Sequence, residues 1–297
     1  MVWKPAKALG LVVGLIIVLT IVGIDVFLVQ SIRGQSIGAS LYFTVLLFVL
    51  SLPLLMLWLY WYAELLSLRY YLDRNALVVD CGTSRHVVPI DAIQRIVPGD
   101  GLSISQGFHG IGWPGYMRGQ MHLKDLGPLL VHSTEPLERQ LVVVTESVCY
   151  GISPRDPQRF RGDYASRRAL GSIRQVKQNH ECAGLGALPV WRDRTFWIAG
   201  ALALIVNAAL FGYIMGQYPG LPERIPLHFN VLGEVDRIAS KVWLLVVPGI
   251  GTLTLGVNAS IGVLVHRRER LGAHLLVCTA LGIQAIVALA AIGILRR

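Results

Sequence analysis

The chain has 297 residues, 54% hydrophobic and 15% charged. Soluble domains carry roughly a quarter charged residues, so a conventional soluble protein is excluded. The formal charge of +9 raises nucleic acid as a partner, but its placement argues against one. Residues 67–195 hold 16 Lys/Arg against 12 Asp/Glu, and much of the remaining excess flanks apolar runs, at Lys4, Lys7, Arg267, Arg268, Arg270, Arg296 and Arg297.

Five apolar runs, 9–30, 41–66, 196–216, 242–265 and 273–295, contain no Lys or Arg, and only Asp25 and Glu64 place an acid inside them. Each has about the 20 residues an α-helix needs to cross the hydrocarbon layer. Backbone groups in lipid must be satisfied within the segment, so such runs are helices. The first run is longer than a secretory signal core of about 7–15 residues. Ile37-Gly38-Ala39-Ser40 is also a poor cleavage site, so the run reads as an uncleaved anchor. Lys4, Lys7 and the three Arg of 267–270 outweigh Arg33 of the 31–40 link. The positive-inside rule then puts the N-terminus, the middle block and the 266–271 link in the cytoplasm. The 217–241 loop and the C-terminus lie outside. The four cysteines, Cys81, Cys149, Cys182 and Cys278, form no C-x-x-C pair. Free thiols are expected in a reducing compartment.

Between residues 67 and 195 the period changes. Short β-branched and aromatic runs at 68–72, 76–81, 85–90, 121–124, 129–132, 141–144 and 148–152 read as strands, with turns at 73–75 and 82–84. Glu146-Ser147 links the last two strands as a tight hairpin. Closely spaced strands without intervening helices imply an antiparallel sandwich or barrel. A helix follows, with Asp156 favoured as N-cap, Pro157 first, and Phe160, Tyr164 and Arg168 at helical spacing. A second start signal, Ser153 with Pro154, is nested in the same stretch, and an end near Gln178 is expected.

Tyr71-Leu72-Asp73-Arg74-Asn75-Ala76-Leu77-Val78-Val79 running into Val88-Pro89-Ile90-Asp91-Ala92-Ile93 resembles the start of bacterial pleckstrin-homology (PH) domains. Val143-Val144-Thr145 and the stretch from Tyr150 to Phe160 are similar to their last hairpin and helix entry. The resemblance implies a β-barrel or sandwich closed by one C-terminal helix, and carries over no ligand-binding residue.

Inside this block, Gly107-Phe108-His109-Gly110-Ile111-Gly112-Trp113-Pro114-Gly115-Tyr116 contains a formal G-x-G-x-x-G. Dinucleotide binding needs that turn between a strand and a helix N-terminus. Pro114 and the β-rich surroundings deny it, so the stretch reads as a structured glycine-rich connection. Trp113 and Tyr116 either rest at the headgroup level or cap the barrel's own core.

Leu221-Pro222-Glu223-Arg224-Ile225-Pro226-Leu227-His228-Phe229-Asn230, continuing to Lys241, joins the third and fourth spans. Its prolines forbid a regular helix, Gly233 suggests a turn, and Ser240 is placed to cap the fourth span. The pattern L-P-x-x-I-P-x-H-F-N-x-x-G-x-x-D closely resembles the N-terminal module of SdpI-type membrane proteins, a domain family of unknown function. Some members confer immunity to a secreted killing peptide and others respond to signals. The candidate loop residues are therefore Pro222, Pro226, His228, Asn230, Gly233 and Asp236. They either hold a compact loop by hydrogen bonds or recognise a peptide. Glu223, His228, Glu234 and Asp236 lack metal-ligand spacing, so no metal or other cofactor is expected.

Intramembrane acids are candidate functional sites. Asp25 reads as paired with Arg33, Arg237 or Lys241, the alternative being proton or ion handling. Glu64 reads as interfacial beside Trp61 and Tyr62. Asn207 and Asn258 are expected to bond across the bundle, and His266 and His274 to anchor helix ends.

The expected organisation is two spans in 1–66, a cytoplasmic PH-like domain in 67–190, an SdpI-type module in 195–265 and a fifth span in 272–297. The chain shows no Ser/His/Asp set, HExxH, P-loop or paired intramembrane carboxylates. It therefore reads as a non-enzymatic sensing, immunity or accessory protein. Its partners would be the bilayer and a protein or peptide at the outer loop or the PH-like domain. The alternative is a small transporter or membrane enzyme using Asp25.

Overall fold

The computed structural model describes residues 1–182, 188–229 and 235–295. Among them are six α-helices. Five are long and apolar enough to cross a membrane: Ala8–Ile32, Ala39–Ser67, Arg194–Gly220, Lys241–Val265 and Arg270–Gly293. The chain is a multi-span membrane protein, and the five apolar runs locate all five spans. The elements group into two compact units, Met1–Ile24 with Ser51–Gly186 and Asp25–Leu50 with Ala187–Arg297.

The first unit takes residues 8–24 of α1 (Ala8–Ile32), residues 51–67 of α2 (Ala39–Ser67) and two sheets, and the remainder of both helices falls in the second unit. The first sheet takes β1 (Val2–Trp3), β2 (Arg69–Leu72), β3 (Ala76–Cys81), β4 (Ser84–Pro89) and β11 (Asn179–Cys182), in that spatial order. The second takes β5 (Arg95–Pro98), β6 (Ile104–Trp113), β7 (Tyr116–Leu123), β8 (Gly127–Ser133), β9 (Leu141–Val144) and β10 (Cys149–Ile152). Its order is β5-β9-β10-β8-β7-β6. Side chains from both sheets fill one core, with Leu72, Val79, Val88, Val143 and Ile152 fully or nearly fully buried.

Local chemistry sets the connections. Asp73 Oδ1 accepts from the amides of Asn75 and Ala76, both at 2.7 Å, which closes the β2–β3 turn. Gly82 at φ +59° provides the left-handed residue between β3 and β4. Asp156 caps α3 (Pro157–Ala169) by accepting from the Arg159 amide at 3.0 Å, with Pro157 first. Phe160 and Tyr164 face the core.

Four sequence expectations about the β body need correction. The sheets are not wholly antiparallel: β10 lies between β9 and β8 and runs parallel to β8, because β9 skips one place. The helix expected to reach Gln178 stops at Ala169, with Gly171 at φ +68° just beyond, and β11 follows and pairs with β4. The glycine-rich stretch is a strand, not a connection. Gly110 and Gly119 face one another across β6 and β7, and a Cβ on either would collide with the other strand's backbone. Its glycines therefore permit close strand approach, while Pro114 and Gly115 (φ +86°) fit a two-residue type II turn. Finally, β1 precedes the first span yet pairs with β2, so the β body extends beyond 67–190.

In the second unit, α4 (Arg194–Gln217), α5 (Val246–Val265) and α6 (Arg270–Leu295) pack together. The expected 217–241 loop contains a hairpin of β12 (Arg224–Phe229) and β13 (Val235–Ser240). Ile225 is buried with Leu210, Ile214 and Leu244. Ser240 does precede the helical turn Lys241–Leu245, but its side chain makes no capping bond.

Candidate functional site

Three helix ends converge on one carboxylate. Asp193 precedes α4 and caps it, its Oδ1 accepting from the Phe196 amide at 3.2 Å. An acid before an apolar run is a common helix start. His266 follows the last residue of α5. Arg270 begins α6, and His274 follows one turn later on the same face.

Asp193 Oδ2 then gathers three partners: His266 Nε2 at 2.8 Å, Arg270 Nε at 2.7 Å and His274 Nε2 at 2.7 Å. The Asp193 and His266 side chains are 2% and 5% exposed, His274 is 20% exposed and Arg270 66%. Hydrogen bonds from Arg270, then from His266, hold the Asp193 carboxyl well below the usual carboxylate range, against the opposing effect of burial. His266 Nδ1 is buried without a hydrogen-bond partner. The ligand atoms of Asp193, His266 and His274 lie within 4.8 Å of one another, the one such three-ligand set among the described residues. Sequence reasoning took the two histidines as separate anchors and did not single out Asp193. The three are 73 and 8 positions apart, which no spacing motif reveals.

A polar layer lies deeper in the same bundle. Asn207 Nδ2 donates to Pro248 O (3.0 Å) and Gln284 Oε1 (2.9 Å), and Thr252 Oγ1 donates to Asn207 Oδ1 (2.9 Å). Gln284 Nε2 donates to Gly251 O at 2.6 Å. Asn258 Nδ2 donates to Leu276 O at 3.1 Å. Both asparagines bond across helices, as the sequence implied.

The remaining sequence candidates are dispersed. Asp25 is buried in α1, at 8% exposure. Pro222 is exposed just before β12, Pro226 and His228 lie in β12, and Asp236 is exposed in β13. Asn230, Gly233 and Glu234 lie outside the described residues. Lys241, one proposed partner of Asp25, reaches Glu223 at 3.1 Å and Leu221 O at 3.2 Å. Trp113 and Tyr116 are buried in the core of the first unit, not laid out on a loop. Trp113 Nε1 donates to Gly10 O at 2.9 Å, and the ring packs on Trp58 at 5.2 Å.

Glu64 is not the interfacial residue the sequence suggested. Its side chain is 1% exposed and ion-paired with Arg118 of β7, because the last turn of α2 enters the β core. Nearby, His86 stacks on His180 at 4.1 Å and lies 4.7 Å from His132. These rings and Arg118 line a cleft of about 370 Å³. Burial, then His180 and Arg118, lowers His86 to about 4, and burial, then His86, lowers His132 well below the ordinary imidazole value. Cys81, Cys149 and Cys278 are free thiols, and burial pushes Cys81 up to about 11.

With this geometry in hand, two family models match the chain. A bacterial PH domain matches residues 68–168, and a domain of unknown function, DUF1648, matches 203–252. No curated protein and no solved structure matches it. The first match falls on the two-sheet body and the second on the segment that holds Asn207, Pro248 and Thr252 of the polar layer and the β12–β13 hairpin.

Proposed function

We propose that this chain is a non-enzymatic accessory membrane protein with a sensing or immunity role. It couples the β12–β13 hairpin, outside the cell, to a PH-like interaction module in the cytoplasm. The N-terminus is inside and the C-terminus outside. One observation carries the reading: the PH-like body includes chain from both ends of the first two spans. Residues Val2–Trp3 pair with β2, Lys7 Nζ donates to Leu66 O at 2.7 Å, and Leu65 is fully buried in the domain core. Motion of either span therefore reaches the module without a flexible linker. The same stitching requires the leader and the module to share one membrane face, as two intervening spans demand, and the positive-inside count names that face as cytoplasmic. The resemblance of Leu221–Asp236 to SdpI-type modules supports a peptide or signal as the outer partner.

In a background with the native cysteines replaced, Arg237→Cys should react with an impermeant maleimide in intact cells. Labelling only after permeabilisation would overturn the orientation. Proteoliposomes of the intact chain should show no proton flux above empty vesicles. A flux abolished by Asp25→Asn would replace the accessory reading with transport.

A further inference from the structure

We propose that Asp193, His266 and His274 form a binding site for a borderline first-row divalent cation, with Zn2+ the best chemical fit. The site goes beyond the accessory function and does not depend on it. Two imidazole nitrogens and one carboxylate oxygen are a ligand set that suits zinc and leaves a fourth position for water. The three atoms already converge: both Nε2 atoms stand 2.7–2.8 Å from the same Oδ2. Around a tetrahedral zinc with bonds of about 2.0–2.1 Å, neighbouring ligand atoms lie about 3.3 Å apart. Each nitrogen–oxygen separation needs to open by only about half an ångström, and all three ligand atoms already lie within 4.8 Å of one another.

Two further features favour binding and one sets its strength. The Phe196 amide holds Asp193 Oδ1 and so fixes the carboxylate's orientation from behind. To ligate a metal, His266 Nε2 must give up its hydrogen to Nδ1, and that buried Nδ1 has no bond to lose. Arg270, the competing cation, is largely exposed and can swing into solvent. The absence of an acceptor on His266 Nδ1 makes the site weaker than one with a complete outer shell, by roughly 10–100-fold. A metal held there would tie the start of α4, the end of α5 and the first turn of α6, making the packing of three spans responsive to metal supply.

The test uses the detergent-purified full chain, stripped with chelator and equilibrated with Co2+ or Zn2+. One metal per chain is expected by elemental analysis, with the visible d–d bands of four-coordinate Co2+. His266→Ala with His274→Ala should abolish both signals. Arg270→Gln should tighten binding several-fold, since it removes a competing charge and no ligand. Should the double variant fail to fold, the wild type and Arg270→Gln still decide. The proposal is overturned by no metal above a protein-free detergent blank, by binding unchanged in the double variant, or by weaker binding in Arg270→Gln.

Discussion

Replacing Arg118 with Met strands the Glu64 carboxylate. Glu64 is 1% exposed, and among the described residues no other donor hydrogen-bonds to either oxygen. Removing one partner of a buried pair costs about 3–5 kcal/mol, because the surviving charge stays desolvated. Arg118 is 26% exposed, so water reaches the site from that side and the lower figure, about 3 kcal/mol, is expected. A unit of this size loses about 2–4 °C of Tm per kcal/mol, a drop of about 6–12 °C. Intrinsic tryptophan fluorescence of the protein in detergent reads it, since Trp58 and Trp113 border this core. The double variant Glu64→Gln, Arg118→Met removes both charges and should recover most of the loss. If Arg118→Met shifts Tm by no more than an exposed pair would, under about 1 kcal/mol, the buried-pair reasoning fails. It fails equally if the double variant is as unstable as the single.

Other perturbations probe other layers. Trp3 is 7% exposed and meets Phe160 edge-to-face at 5.4 Å; Trp3→Ala should cost about 3–5 kcal/mol, and an unchanged melt would show that β1 is not part of the core. His86 titrates near 4 in the fold but near 6.5 unfolded, so between these values the unfolded chain binds more protons. Stability should fall as pH drops from about 6.5 to 4 and stay level above it, with His86→Phe reducing the slope in a pH series of melts. Asn207→Leu breaks bonds to Pro248 and Gln284 and should cost about 1–2 kcal/mol, the upper range for such bonds in lipid, in unfolding by denaturing detergent.

Much of this was legible because it rests on local rules. Length and apolarity located all five spans, and the Asp156-Pro157 start of α3 followed from capping chemistry alone. Long-range pairing hid the rest. Glycine is ambiguous in one dimension: Gly110 permits a close approach only because Gly119 lies opposite, and that register is invisible along the chain. Val2–Trp3 is too short to read as a strand before β2 is in place. The Asp193 cluster likewise draws on three helix ends, each of which reads separately as an ordinary cap or anchor. Tertiary convergence, not composition, makes them a site.

Continuity between α2 and β2 gives the coupling argument its sharpest consequence. One residue, Leu68, separates them, and its amide still reaches Glu64 O at 2.9 Å. Both Leu65 and Leu68 are fully buried, so the junction is packed core. One alanine inserted between Ser67 and Leu68 would rotate α2 by about 100° relative to β2. That turn carries Glu64 away from Arg118 and Leu65 out of its pocket. Losing the ion pair costs about 3 kcal/mol and an emptied leucine site about 2–5 kcal/mol, so a large fall in Tm is expected. A four-residue insertion restores the helical face to within about 40° but lifts it by about 6 Å, and should recover little. A flexible hinge would absorb either insertion with no change in the melt, and that outcome would separate the spans mechanically from the β body.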